Sequence, residues 1–244
     1  MKRAIWLTLA ALLAFAAILV ARLPASWVLP LARRADASCA STEGTLWSGV
    51  CGGLRVDQLA LGDLSWELHP LALLALRVEG QASLAGPAVR GEAYLELGAA
   101  GALRARAVHA ELALDPRLLP GLPANLHGSA RVELARLWLE KGALRELQGR
   151  IEARDLEERS GENTALGSYE VRFPGGSDLT GAVRDLGGPL EVQGTLRLRP
   201  EGAYELEGHI APRPGAPAEL VDNLRMLGTP DAAGRRPFSL SGTF

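Results

Sequence analysis

Residues 190–198 read LEVQGTLRL, and their alternation is strict: Leu190, Val192, Gly194, Leu196 and Leu198 fall on one side of an extended chain, Glu191, Gln193, Thr195 and Arg197 on the other. A period of two held this long is the signature of a strand with one apolar and one wet face, which predicts an antiparallel sheet. Residues 203–210, AYELEGHI, repeat it with Tyr204, Leu206, Gly208 and Ile210 inward. Pro200-Glu201-Gly202 supplies turn chemistry between the two runs, so they form a hairpin. Residues 147–153 and 89–97 carry the same alternation, and Lys141-Gly142 predicts another tight turn between RVELARLWLE and ALRELQGRIEAR.

Glycines recur on the inward phase of these runs, at Gly80, Gly91, Gly128, Gly149 and Gly194. Their spacing is irregular, which excludes a solenoid of fixed period. An inward glycine removes side-chain volume and lets a strand bend or bulge. The expected fold is therefore mainly β: an N-terminal transmembrane helix, then a strongly curved antiparallel sheet with an apolar concave face and one or two short helices. Accommodation of bulky partners in an ordinary sandwich is the alternative.

Residues 4–21, AIWLTLAALLAFAAILVA, carry no charge over 18 positions. At about 1.5 Å per residue such a helix nearly matches a hydrocarbon core of roughly 30 Å. A cleavable signal peptide is the rival, but Arg22-Leu23-Pro24 follows where a small-x-small cleavage site belongs. The organisation expected is a cytoplasmic tail and anchor over 1–22, a juxtamembrane linker over 23–38 and a β-rich domain over 39–244. Basic residues flank the span almost evenly, so charge sets orientation weakly. The three-residue tail before the span argues for a cytoplasmic N-terminus and an exported single-pass body.

Both cysteines, Cys39 and Cys51, lie just past the linker with 11 residues between them. In an oxidising periplasm they would form a disulfide, and a loop of this length contributes roughly 3 kcal/mol in the chain-entropy account. Two unpaired core thiols are the alternative. The histidines at 69, 109, 127 and 209 have no ligand spacing, so no metal site is expected. Beyond residue 22 there are 28 acidic against 23 basic residues, and no basic face with interleaved aromatics that would engage nucleic acid. Of the 26 basic residues only Lys2 and Lys141 are lysine, a bias ascribed here to genomic base composition.

Two further helical stretches are expected. Residues 217–228, PAELVDNLRMLG, place Pro217 in the first turn, Leu220, Leu224 and Leu227 on one side, and Gly228 as the stop. Residues 26–34 could lie along the membrane surface. Residues 68–76, LHPLALLAL, read as too apolar to be exposed, in a strand or a single helical turn.

Catalytic motifs are missing: there is no Gly-x-Ser-x-Gly, His-Glu-x-x-His, Cys-x-x-Cys or Gly-x-Gly. Glu92, Glu96, Glu191, Glu205 and Glu207 fall on the outward phase of strands, where solvation explains them. Asp155-Leu-Glu-Glu-Arg159 reads as a charged loop, and His69 as a packed or capping residue. The chain is expected to be no enzyme and to need no cofactor.

Gly44-Thr45-Leu46-Trp47-Ser48-Gly49 shortly after one anchor, followed by Leu61-Gly62-Asp63-Leu64-Ser65-Trp66-Glu67-Leu68-His69-Pro70-Leu71, resembles the opening of the type II secretion system protein N family. The ending is similar as well: Leu227-Gly228-Thr229-Pro230-Asp231, then Gly234-Arg235-Arg236-Pro237-Phe238-Ser239-Leu240-Ser241-Gly242, with Arg236 where the family leads one to expect an aromatic. The resemblance spans essentially the whole chain. It implies a non-catalytic accessory inner-membrane component of the secretion machine, whose partners are platform subunits and the outer-membrane secretin. Gly44, Trp47, Gly49, Trp66, Pro230, Asp231 and Gly234 then become motif positions and candidate contacts. The family is also similar in architecture to large curved sheets of the lipid-transport type. Hence the alternative function is a periplasmic carrier of lipid or another apolar ligand on the concave face.

Overall fold

The computed structural model describes residues 6, 12, 15, 18–28, 36–57, 59–98, 101–116, 122–160 and 163–243. Most of the expected 4–21 span and residues 29–34 of the expected surface segment lie outside them. Of the span, Trp6, Leu12, Phe15 and residues 18–21 are helical and exposed. Among the described residues no helix is long and apolar enough to cross a membrane. A single 3₁₀ turn, Ala25–Val28, follows.

Everything after it is organised by one sheet. Its strands are β1 (Ala37–Ser38), β2 (Ser41–Gly44), β3 (Ser48–Val56), β4 (Leu59–Leu68), β5 (Arg77–Ala85), β6 (Val89–Gly98) and β7 (Ala102–Ala113). The second half comprises β8 (Leu126–Glu140), β9 (Ala143–Arg159), β10 (Asn163–Pro174), β11 (Thr180–Asp185), β12 (Leu190–Leu198), β13 (Ala203–Pro212) and β14 (Arg236–Thr243). From β3 to β14 each strand pairs antiparallel with its sequence neighbour, and β1 and β2 both pair with β3. The predicted hairpins are present, with Lys141 and Gly142 both at positive φ between β8 and β9, and Gly202 likewise between β12 and β13.

Cross-strand partners in an antiparallel sheet share a face. The register therefore sorts every strand into an apolar and a polar side. Leu68, Gly80 and Leu95 form one apolar row, Val132, Ile151, Val171 and Val183 another, and Val192 with Ile210 a third. Two buried clusters form on this side. Leu134, Leu144, Leu147, Phe173 and Leu179 make the first. In the second, Leu220 and Leu224 of the helix α1 (Ala218–Leu224) cover Leu190 and Val192. The helix stops earlier than predicted because its last amides turn back to carbonyls three residues away, Met226 to Asn223 and Leu227 to Leu224. Leu227 still packs against the cluster.

Three expectations are corrected. The sheet is open, and it is not strongly curled. Its inward glycines serve close approach instead: a Cβ at Gly80 would stand 2.1 Å from the Glu67 carbonyl oxygen, and one at Gly149 2.2 Å from that of Glu133. Residues 155–159 are not a loop. They continue β9, Glu157 opposite His127 and Glu158 opposite Leu126, while Asp155 at positive φ absorbs a bulge. Residues 70–75 form a 3₁₀ turn, as one of the two readings had it, but only Ala72 is buried; Leu71, Leu74 and Leu76 are 78%, 86% and 77% exposed.

The molecule presents 15517 Å² of accessible surface, whereas a compact monomer of its mass exposes about 10,500 Å². The exposed N-terminal stretch and a sheet with water on its polar face and only partial cover on its apolar face both contribute to the excess.

Candidate functional site

The first group of motif residues builds a single corner. Gly44 and Gly49 face each other across the β2–β3 hairpin, and Gly44 has φ +91°, a conformation that favours glycine. A Cβ there would also stand 2.4 Å from the Ser48 carbonyl oxygen. Between them Thr45 and Ser48 close the turn: the Thr45 amide donates to the Ser48 carbonyl at 2.8 Å, and the Ser48 amide to Thr45 Oγ1 at 3.1 Å. A Cβ on Gly49 would lie 2.6 Å from the Trp66 ring, so Trp66 occupies the space that glycine leaves. Its indole donates to the Leu46 carbonyl at 3.0 Å.

Trp47 points the other way. Its indole donates to the Val20 carbonyl at 2.7 Å, while Leu46 donates its amide to Leu23 and Pro24 bridges Thr45. The turn thereby grips the chain where it leaves the apolar stretch. Cys39 and Cys51 are joined in a disulfide, Cα atoms 5.4 Å apart, with Cys51 buried in β3. The bond ties the β1–β2 connection to the strand that carries this corner.

The second group builds a separate turn before β14. Asp231 Oδ1 accepts from the amides of Ala233 and Arg235, both at 2.9 Å, and its Oδ2 from Arg235 Nε at 3.0 Å. The Arg235 amide foremost, with the Arg235 guanidinium and the Ala233 amide, holds the Asp231 carboxyl below its ordinary range. Gly234, at φ +77°, completes the turn, and Pro230 leads into it. Arg236, where an aromatic is expected, donates to the Gly228 carbonyl and locks the turn onto the end of the helical segment. The two groups sit at opposite ends of the strands and at opposite edges of the sheet. With strands about 4.8 Å apart, roughly 60 Å of sheet path separates them.

The polar face carries a ladder that sequence reasoning missed. Glu96 accepts from Arg104 at 3.1 Å, Glu111 from Arg131 Nε at 2.9 Å, Glu133 from Arg150 at 2.9 and 2.7 Å, and Glu170 from Arg184 at 2.9 Å. Glu152 pairs with Arg154, whose hydrogen bond keeps that carboxyl low although burial opposes it. The arginine excess thus has a structural use, since each guanidinium reaches a carboxylate on a neighbouring strand or two residues along its own. The signal lay in the outward phase, but which arginine meets which glutamate depends on register. Shallow depressions of about 540 and 440 Å³ share His109 and Glu133 on this face. Of the carboxylates lining them, Glu133 is held by Arg150 and Glu111 by Arg131, an arrangement suited to fastening strands rather than to taking a proton. His69 packs against Tyr94, whose hydroxyl lies 3.4 Å from its Nδ1, at the head of the 70–75 turn.

β14 has a neighbour on one side only among the described residues, and eight of its residues pair with β13. Its outer backbone groups and Leu240, more than half exposed, form an open strand edge. At the other edge the outermost strands, β1 and β2, are two and four residues long.

Comparison with known proteins adds the following. The family described as Type II secretion system (T2SS), protein N matches residues 35–239. Type II secretion system protein N of Vibrio cholerae serotype O1 (strain ATCC 39315 / El Tor Inaba N16961) is 28% identical over 269 residues, covering 99% of each chain. Type II secretion system protein N of Aeromonas hydrophila is 28% identical over 256 residues, again covering 99% of each. No solved structure is a match.

Proposed function

We propose, starting from the fact that this chain belongs to the type II secretion system protein N family, that it is a non-catalytic accessory subunit of that system, acting as an anchored scaffold. In this reading residues 1–22 are a cytoplasmic tail and inner-membrane anchor, 23–38 a juxtamembrane linker, and 39–244 a periplasmic domain. The apolar side chains of the helical residues Trp6, Leu12, Phe15 and Ile18 support the anchor, since each is more than half exposed. The disulfide supports an oxidising compartment.

The observation that carries the scaffold is the open edge of β14. An eight-residue strand with free backbone donors and acceptors is a template for an added strand from a partner. The partners this reading assigns are the platform subunits of the inner membrane and the secretin. The test is affinity purification from native membranes in mild detergent, with a photocrosslinker at Leu240 and, as control, at Val50, which is exposed near the opposite edge. Adducts with secretion subunits at Leu240 and not at Val50 support the scaffold. Adducts at neither position, with no secretion subunit co-purifying, sink it.

One observation favours a second reading, carriage of an apolar ligand: the apolar face continues into β5 and β6, where the paired residues Val78 and Leu97 remain exposed. Lipid retained by the purified protein, lost on Leu97→Glu with the fold intact, would support it.

A further inference from the structure

The exposed leucines of the 70–75 turn lie at the same corner as the end of the apolar N-terminal stretch. Leu68 donates its amide to the Trp47 carbonyl at 2.6 Å, and the Trp47 indole donates to the Val20 carbonyl at 2.7 Å. One tryptophan therefore joins the last residue of β4 to the stretch. Leu71 stands three residues beyond Leu68, within about 11 Å even for a fully extended chain. From Leu68 to Leu76 no side chain is an acid, a lysine or an arginine. The turn packs only Ala72 inward and presents Leu71, Leu74 and Leu76 outward. Leu76 caps it at φ 55°, a left-handed position that favours glycine or asparagine. The Leu76 amide closes the turn by donating to the Leu73 carbonyl at 2.9 Å, but its side chain is left in water and adds no burial to the chain itself.

We infer that the 70–75 turn is a membrane-docking loop: Leu71, Leu74 and Leu76 insert into the outer leaflet of the lipid bilayer that the N-terminal segment enters. The inference rests on the anchor reading above for its membrane. Lipid is the occupant favoured by the uncharged composition, by continuity with an apolar stretch ending at the same corner, and by size. A six-residue turn offers far less than the roughly 600 Å² per partner of even a small protein interface. It is also suited to depth, because leucines on a short turn reach the acyl boundary while Trp47 lies near the headgroups. Two attachments, the span and the loop, would fix the rotation of the sheet about the membrane normal.

The experiment places an environment-sensitive fluorophore on single cysteines, Leu74→Cys, Leu12→Cys and Leu186→Cys, in the full chain with its disulfide oxidised. Leu186 is an exposed leucine on the β11–β12 turn, at the far end of the strands. Each protein is reconstituted into phosphatidylethanolamine and phosphatidylglycerol vesicles, with doxyl quenchers near the headgroup or deep in the acyl chains. The expected result is loss of most fluorescence at position 74 with the shallow quencher, loss at position 12 with the deep one, and none at 186. Quenching at 12 but not at 74 overturns the inference and leaves the anchor standing. No quenching at 12 removes the anchor, and position 74 still decides whether the loop meets lipid. Blue-shifted emission at 74 without lipid quenching would assign the leucines to a second copy of the chain and overturn the inference.

Discussion

On the apolar side of β8 to β12 the register sets Leu134 against Gly149, Leu137 against Leu147 and Ile151 against Val171, and bulky side chains fill the space until Phe173 is 2% exposed. On β4 to β7 the same side is lined by Gly80, Ala82, Gly91, Ala93, Ala105 and Ala110, and its larger residues, Leu64, Trp66, Leu84 and Leu95, are only half-buried. The C-terminal half is held by packing. The N-terminal half relies on its backbone ladder, a disulfide and cross-strand pairs such as Ser65 with Ser83, whose hydroxyl oxygens lie 2.6 Å apart. One sheet thus uses two sources of stability, and the sparsely packed half is the one that carries the Trp47 corner.

Truncating the packed half is the severest way to test that contrast. Phe173→Ala should cost about 3–5 kcal/mol, the range for large aromatic deletions in a close-packed site. Leu84→Ala should cost about half as much or less, because less area returns to water. Equal losses in denaturant melts would remove the distinction. Next in size, Cys39→Ser should cost about 3 kcal/mol. In hydrogen exchange the loss should concentrate in β1 to β4 and spare β8 to β13, with membrane insertion unchanged. Loss spread evenly over the sheet would make the two halves one cooperative unit.

Asp185 sharpens the comparison through pH. Burial would raise this carboxyl, but the Val192 amide at 3.1 Å, the Arg213 guanidinium at 2.6 Å and the Gly187 amide at 3.2 Å hold it below its ordinary range. Its stabilisation is therefore complete above the unfolded value of about 3.9 and is lost as pH falls through the lower folded value. Asp185→Asn should cost about 2 kcal/mol at neutral pH, and the two proteins should converge in strong acid. A constant gap across the titration would mean that the charge is irrelevant there. The smallest effect is expected on the ladder: Glu133→Gln should change stability by less than about 1 kcal/mol, because its partner Arg150 is well exposed.

Much of this was legible in the chain. Alternation gives the strands because period two is a property of extended backbone itself, and the same phase correctly assigns Leu190, Val192, Leu196 and Leu198 to the apolar side. Turn chemistry places Lys141-Gly142 because few residue pairs suit positive φ twice in succession. Residues 155–159 defeat the composition rule: a run of charges reads as solvent, yet Glu158 is satisfied by Asn125 at 2.8 Å across the sheet. That bond depends on a partner 33 residues away. The 68–76 segment fails for the opposite reason: apolarity reads as burial, yet the 3₁₀ turn tucks only Ala72 under and leaves Leu71, Leu74 and Leu76 outside. As for the motif residues, the resemblance groups them as candidate contacts, whereas the geometry puts Trp47 and Asp231 in separate corners, each closing its own turn.

The unbroken neighbour-to-neighbour order of β3 to β14 bears on how the molecule comes to exist. Every strand finds its partner in the segment made just before it, so loop closure is short at each step and little entropy is lost before contacts form. A chain delivered progressively from its N-terminal side, as synthesis delivers it, can then assemble by accretion, each arriving hairpin templated on the edge already built. The Cys39–Cys51 bond closes within the first strands to be made, and β14, the last to arrive, leaves the growing edge exposed.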